Sequence, residues 1–290
     1  MTPESSTRKV QIGDATLIQA EAVATMRHEL PDSFDLAIAD PPYGASTEAD
    51  WKLERGHRLP GMGGRWKLAD HEWDMFRGID GFEFTVAWLS ELKRLVKPTG
   101  SIWLHGTYHN IGWLNVACQL LNIEIINEVV WFKRNAFPNL AARRLTASHE
   151  SLLWCHTGGN KREYRFNYDD VKAATFPEDS LKIPGKQMRT VWDIPNNKAK
   201  DELRYGQHPT QKPLRLLERM LVIAGVKGGS CLVPFMGSGS EMIACLRWGM
   251  KPTGIEHDAA FFDISAARVK AEVEHKEQAP TLQFEVGDNA

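Results

Sequence analysis

Leu36-Ala37-Ile38-Ala39-Asp40-Pro41-Pro42-Tyr43 is the stretch on which the fold turns. A short, unbroken apolar run reads as a strand, and this one ends in an acid, two prolines and an aromatic ring. The prolines fix φ and remove two backbone donors, which leaves rigid carbonyl acceptors. Asp40 adds a carboxylate acceptor and Tyr43 a flat π-face. Asp-Pro-Pro is a plain strand-ending turn on one reading. On the other it suits an amino group on a planar ring, whose two N–H bonds are accepted while the ring is stacked.

Outward from this point, short apolar runs alternate with helical patterns. Val10 to Ile12 and Phe34 to Ala39 read as strands separated by a helical stretch, Ala15 to Glu29. Each strand is followed by an acid, Asp14 and Asp40, and the carboxyl ends of strands are where open α/β sheets bind ligands. From Gly44 to Asp80 the pattern gives way to Gly, Pro, Trp and charge, the mark of a functional loop. A helix over Phe82 to Val96 stops at Lys97-Pro98-Thr99-Gly100, followed by a strand over Ser101 to His105 and a helix over Ile111 to Leu121. Ile123 to Phe132 and Ser151 to Cys155 read as arms of a long antiparallel excursion joined by the basic Lys133 to His149; residues 160–207 lack periodicity. Helices over Gln211 to Ala224, Gly239 to Trp248 and Ala259 to His275 then alternate with strands over Ser230 to Pro234 and Pro252 to Glu256. The alternation predicts an α/β fold with a mostly parallel, doubly wound sheet covered on both faces.

Pro234-Phe235-Met236-Gly237-Ser238-Gly239-Ser240 stands between a predicted strand and a predicted helix. Its glycines permit a tight turn and close approach of a ligand, and the helix offers its positive N-terminus. Glu256 follows Gly237 by nineteen residues, close to the roughly 20-residue spacing at which an acid meets ribose hydroxyls. Met242 occupies the third glycine position of G-x-G-x-x-G, so an adenosyl ligand without pyrophosphate fits better than a dinucleotide. His208-Pro209-Thr210-Gln211-Lys212-Pro213 opens the preceding helix. Thr210 as the cap and Pro213 in the first turn is one explanation; Lys212 reaching to a ligand carboxylate is the other.

The 290 residues have room for one large α/β domain or two small ones, and no apolar run nears the length of a membrane span. The polar N-terminal stretch has no export signal, and four well-separated cysteines argue against a zinc knuckle or a disulfide scaffold, so a reducing cytoplasm is expected. None of the ten histidines pairs with a cysteine at ligand spacing, so no metal is expected. The net charge of −2 hides a strong division: residues 51–68, 131–165 and 182–212 carry +4, +5 and +4, which leaves the remainder at −15. Three basic stretches on an acidic body suit a polyanion-binding face; ordinary solvated loops are the alternative.

Together with Gly13-Asp14, Trp131-Phe132-Lys133-Arg134-Asn135, His149-Glu150 and Phe166-Asn167-Tyr168-Asp169, these motifs resemble the DNA amino-methyltransferases that use S-adenosylmethionine. The order is that of the beta arrangement, with D-P-P-Y first and F-x-G-S-G after a target-recognition segment, and the resemblance covers nearly the whole chain. Val233 stands where the family has an acid before Pro-Phe, and Ser240 replaces the more usual threonine. The resemblance implies a Rossmann-like methyltransferase fold over 1–290, a DNA-facing loop at 44–80 and a target-recognition insertion at 133–207. It implies methylation of adenine N6 in double-stranded DNA after base flipping. Asp40 and the Pro41 carbonyl, followed by Pro42, would accept the amino hydrogens while Tyr43 stacks on the base.

For the cofactor the resemblance implies Asp40, Phe235, Gly237, Ser238, Gly239 and Ser240 around it, and Glu256 on the ribose. Thr210, Gln211, Lys212 and Pro213 would lie at the methionine carboxylate, Asp14 and Ala15 at the adenine edge, with His257 at the adenine or the surface. Lys52, Arg55, Arg65, Lys133, Arg134, Arg143 and Arg144 become candidate DNA contacts, the last two as bidentate readers of guanine. A cognate restriction endonuclease and a homodimer are compatible partners. Cytosine N4, RNA or a protein glutamine are alternative acceptors, and Val233 leaves a non-catalytic DNA-binding relative as a further alternative. Trp88, Trp103, Trp113 and Trp154 are assigned to the core.

Overall fold

A computed structural model describes residues 7–43, 78–136, 138, 143, 145–158, 163–174, 176, 185–196, 201–206, 208 and 210–278. Along the chain run β1 (Arg8–Ile12), β2 (Ala15–Gln19), α1 (Ala22–Arg27), β3 (Phe34–Ala39), α2 (Gly78–Leu95), β4 (Val96–Gly106), α3 (Ile111–Leu120), β5 (Glu124–Phe132) and β6 (His149–His156). They are followed by α4 (Tyr168–Ala173), β7 (Val191–Asp193), a 3₁₀ turn (Asp201–Leu203), α5 (Leu214–Ala224), β8 (Ser230–Val233), α6 (Ser240–Trp248), β9 (Lys251–Glu256) and α7 (Ala259–Gln278). Among the described residues one nine-stranded sheet has the order β1-β2-β9-β8-β3-β4-β6-β5-β7. The strands from β2 to β4 in this order are parallel, while β1 and β6 run antiparallel to their neighbours.

β3 lies centrally because its run is apolar on both faces. Ala37 and Ala39 face Trp88, Leu89 and Leu92 of α2, whereas Leu36 and Ile38 join Leu217 and Met220 of α5 in a second cluster. From β3 the chain crosses to β4 through α2, and from β8 it crosses the other way to β9 through α6. The order therefore reverses between β3 and β8. A crevice opens beyond the carboxyl ends of the two strands at such a reversal, which is where open α/β sheets bind ligands.

Several sequence expectations change. The helix expected over 15–29 is a strand followed by a short helix: Ala15, Leu17 and Ile18 are buried between β1 and β9, and this pairing overrides helix propensity. The helix starts only after Glu21, whose carboxylate accepts the N–H groups of Val23 (2.9 Å) and Ala24 (2.6 Å). β5 and β6 pair antiparallel as read, but they belong to the main sheet, with Trp103 of β4 opposite Trp154 of β6. The stretch 160–207, read as lacking periodicity, supplies α4 and β7, the latter parallel to β5. The α5 helix starts at Leu214, with Pro213 at its N-cap and no side-chain cap, so Thr210 does not cap it.

Trp88, Trp103 and Trp154 are buried, as expected for core, while Trp113 is half-buried. The Trp103 and Trp154 rings stack at 5.7 Å, and Trp192 of β7 lies 6.0 Å from Trp103. These indoles tie the added strands to the central sheet. Trp103→Ala is expected to cost about 3–5 kcal/mol, measured as a lower urea midpoint.

Candidate active site

Three strand ends meet at the reversal: Asp40-Pro41-Pro42 after β3, Pro234-Phe235 after β8 and Glu256-His257 after β9. With Thr210, Gln211 and Lys212 before α5 and the turn into α6, they line a cleft of about 590 Å³ that includes its open mouth. The turn is shaped by glycines at positive φ, +51° at Gly237 and +78° at Gly239. A Cβ on Gly239 would lie 2.4 Å from Ser265 Oγ, so the close packing of α7 admits no side chain there.

Glu256 is held by two backbone donors, Gly237 N–H at 2.8 Å and Asp258 N–H at 2.9 Å. These bonds fix the acid against the glycine turn and leave it acceptor capacity toward the cleft. The Arg268 guanidinium donates to the Ser238 carbonyl (2.6 Å) and hydroxyl (2.9 Å), which stiffens the same turn. Phe235 meets Trp88 edge-on at 5.5 Å, so its ring forms a fixed wall.

At the tip of β3 lies a buried ionic cluster. Lys212 Nζ donates to Asp40 Oδ2 (2.5 Å), to the Tyr43 hydroxyl (2.7 Å) and to the Thr210 carbonyl (3.0 Å). The Tyr43 hydroxyl in turn donates to Asp40 Oδ1. Burial alone would raise the Asp40 carboxyl; the Lys212 ammonium outweighs it and holds the acid below its ordinary range. Burial would lower the Lys212 ammonium, but Asp40 and Glu150 hold it above. His105, beside Asp40 on β4, is driven by burial down to about 4 and is neutral near pH 7. Glu241, in the first turn of α6, is pushed up to about 7 by burial and by the Asp40 charge.

The cleft brings together Asp40, Pro41, Pro42, Thr210, Gln211, Lys212, Phe235, Gly237, Ser238, Ser240, Glu256 and His257 from the expected set. Gly239 is the N-cap of α6 behind this lining. Pro213 at the α5 N-cap and Tyr43 are not in the lining. Tyr43 is buried with its hydroxyl on Asp40 and so presents no stacking face in this state. Lys212 is directed at Asp40, not toward a ligand carboxylate.

Asp14 is exposed in the hairpin turn between β1 and β2, and Ala15 starts β2. Because β1 runs antiparallel to β2, its carboxyl end lies at the opposite edge of the sheet from Glu256, and neither residue reaches the cleft. The strand-end acid beside Glu256 is instead Glu21, since Ala20 N–H donates to the Glu256 carbonyl at 3.0 Å. Sequence reasoning also passed over Met236, Glu241 and Phe261, and left His208 out of the site; all four line the cleft. Glu241 could have been found as a charged residue directly after the glycine turn.

Of the expected DNA contacts, Lys133 is mostly buried and paired with Glu150 at 2.8 Å, so it faces inward. Arg134 is half-exposed and paired with Asp193 at 2.9 Å, and Arg143 is exposed. Lys52, Arg55, Arg65 and Arg144 lie outside the described residues. Among the described residues no cluster of three or more His, Cys, Asp or Glu could hold a metal ion.

The sheet reversal, with a glycine turn bonded to an acid nineteen residues later, is that of a Rossmann-like fold. The family model for DNA methylases of the N6/N4 type matches residues 34–267, and the chain belongs to that family. It is 32% identical over 260 residues to the Type II methyltransferase M2.DpnII of Streptococcus pneumoniae, covering 89% of this chain and 90% of that one. The Type II methyltransferase M.HinfI of Haemophilus influenzae is 31% identical over 260 residues, 88% of this chain and 68% of its own length. The crystal structure of the M1.HpyAVI–SAM complex shares the fold, with a TM-score of 0.59 at 21% identity, over 88% of this chain and 98% of that one.

The raised pKa of Glu241 has a consequence for stability. The folded state holds the Glu241 proton up to about pH 7, whereas the unfolded chain releases it near 4.5. The stability it contributes is full below 4.5 and is lost as pH rises through 7. Glu241→Gln is therefore expected to gain stability over the parent as pH rises from 5 to 8, by on the order of 3 kcal/mol. Urea unfolding of both proteins at the two pH values measures the difference, which also separates it from the opposite titration of His105.

Proposed function

We propose that this DNA methylase transfers the methyl group of S-adenosylmethionine to the exocyclic N6 of adenine in duplex DNA. The observation that carries the proposal is Asp40 at the tip of β3, in the same cleft as the glycine turn and Glu256. The cleft suits that cofactor. It offers a backbone turn with no Cβ at Gly237, a fixed acid for vicinal hydroxyls, the aromatic wall of Phe235, and the acids Asp40, Glu241 and Glu256 for a cationic ligand. When bound, S-adenosylmethionine supplies an electrophilic methyl on a sulfonium.

The protein supplies orientation and electrostatics. An adenine amine is a poor nucleophile because its lone pair is delocalised into the ring. Asp40 and the Pro41 carbonyl accept its two hydrogens and favour a pyramidal nitrogen with its lone pair directed at the methyl. Tyr43 turns its ring to the base once its hydroxyl leaves Asp40. Gly237 to Ser240 admit the cofactor close to the backbone, and Glu256 takes the ribose hydroxyls. The target must leave the duplex, at a cost of a few kcal/mol. The exposed Arg143, with Arg144, Lys52, Arg55 and Arg65 of the basic stretches, contacts the DNA.

Asp40 supports adenine, since serine is common at this position in the cytosine enzymes the chain resembles. Val233 is buried at the end of β8 and lies outside the residues that line the cleft, which supports retained catalysis. The Type II relatives support a cognate restriction endonuclease as a partner, and a homodimer fits the same setting. Among the described residues no helix is long and apolar enough to cross a membrane. A DNA substrate supports a cytoplasmic location.

Incubation with unmethylated DNA and S-adenosylmethionine, followed by nucleoside mass spectrometry, is expected to give N6-methyladenine. N4-methylcytosine would reassign the base, and neither product would refute the activity. Asp40→Ala is expected to abolish product while cofactor binding, weakened by the loss of one acid from the cleft, stays measurable by calorimetry. Reversing Arg143 and Arg144 to Glu should weaken DNA binding and flatten the dependence of log Kd on log salt.

A further inference from the structure

Lys212 stands between two acids, only one of which it satisfies. Its three donors are taken by Asp40, Tyr43 and the Thr210 carbonyl. On its other side is Glu150, near the start of β6. Glu150 Oε1 accepts from Lys133 at 2.8 Å, whereas Oε2 is buried, makes no hydrogen bond and lies 3.9 Å from Lys212 Nζ. A buried carboxylate oxygen without a donor is costly unless a donor reaches it in some state of the molecule. The lysine 3.9 Å from that oxygen is the one already engaged by Asp40.

The arrangement found is poorly suited to methyl transfer in one respect. On the proposed reaction, the amine nitrogen gains positive charge as its bond to the methyl forms, before it loses a proton. An ammonium 2.5 Å from Asp40 Oδ2 draws on the same carboxylate that must take the amine's hydrogens, and it repels the charge developing there. The Tyr43 hydroxyl occupies the other Asp40 oxygen.

We propose that Glu150 is a positioning residue that provides a second seat for Lys212. When a flipped base offers its amine to Asp40, the lysine head passes from Asp40 Oδ2 to Glu150 Oε2, and Tyr43 is released with it. The distance to be covered is the difference between a 3.9 Å ion pair and a hydrogen bond, within the reach of a four-carbon side chain. Lys133, 5.4 Å above the Trp131 ring and bonded to Glu150 Oε1, holds the receiving carboxylate in place. Since Lys133 begins the basic segment 133–149, the seat is built partly by that segment.

This inference rests on the proposed methylation, and its test separates the two. Glu150→Gln is expected to slow single-turnover methylation by about tenfold or more, because Lys212 then has no charged seat but Asp40. The Kd values for S-adenosylmethionine and DNA should stay within about twofold. Adding Lys212→Gln to Glu150→Gln removes one charge of each sign and is expected to make the double variant faster than Glu150→Gln alone. A merely structural role for Glu150 would not produce that recovery. Glu150→Asp, which keeps a carboxylate, should fall between wild type and Glu150→Gln, and carries the comparison if the amide variant does not fold. Glu150→Gln within twofold of wild type, or a double variant no faster than it, would overturn the second seat. A wild-type protein that methylates no base would instead refute the activity, and the inference with it.

Discussion

The buried ion pair of Asp40 and Lys212 joins residues 172 positions apart, and the architecture of the site depends on it. Either charge alone is costly there, since Lys212 is almost wholly removed from water and Asp40 keeps only a small opening to the cleft. Removing one partner of such a pair typically costs about 3–5 kcal/mol, because the other charge is left behind. The doubly wound sheet makes the pairing possible. It delivers the tip of β3 and the segment before α5 to the same crevice, although most of the chain, including α2 to β7, lies between them. The ionic cluster thus closes the crevice and keeps Asp40 ionised until a base takes the place of Lys212.

Around that pair the cleft is built from backbone as much as from side chains. The turn at Gly237 and Gly239 bends through positive φ, and Glu256 is tied to it through the Gly237 N–H. A turn without Cβ atoms lets a nucleoside come close, and an acid locked to that turn cannot drift from the hydroxyls it is to meet. Glu241 adds a buried carboxyl poised near neutrality within the same lining. Its proton, the neutral His105 and the Asp40–Lys212 pair together keep the pocket's charge low until a cationic ligand arrives.

Much of this was legible from local sequence. The unbroken apolar run of β3, the glycine turn and the nineteen-residue spacing to Glu256 each follow from short-range chemistry, and each lands in the cleft. What failed was long-range. Ala15 to Gln19 has helix-forming residues but becomes a strand because β1 and β9 flank it, and this shift of one element moved the strand-end acid from Asp14 to Glu21. Lys212 was read as reaching for a ligand, and Lys133 as a phosphate contact. Both turn inward because buried acids, Asp40 and Glu150, wait for them from distant strands. A sequence shows where charges are, while their partners are set by which strand ends the topology places side by side.

The most direct test is the titration of the Asp40 carboxyl, followed by carboxylate ¹³C NMR and assigned by loss of the signal in Asp40→Asn. With Lys212 beside it the carboxyl should titrate below the ordinary aspartate value of 3.8, and in Lys212→Gln it should rise, as burial is then opposed only by His105 and the Tyr43 hydroxyl. A carboxyl that titrates at or above 3.8 in the parent protein, or one indifferent to Lys212, would contradict the ion pair on which the site is built.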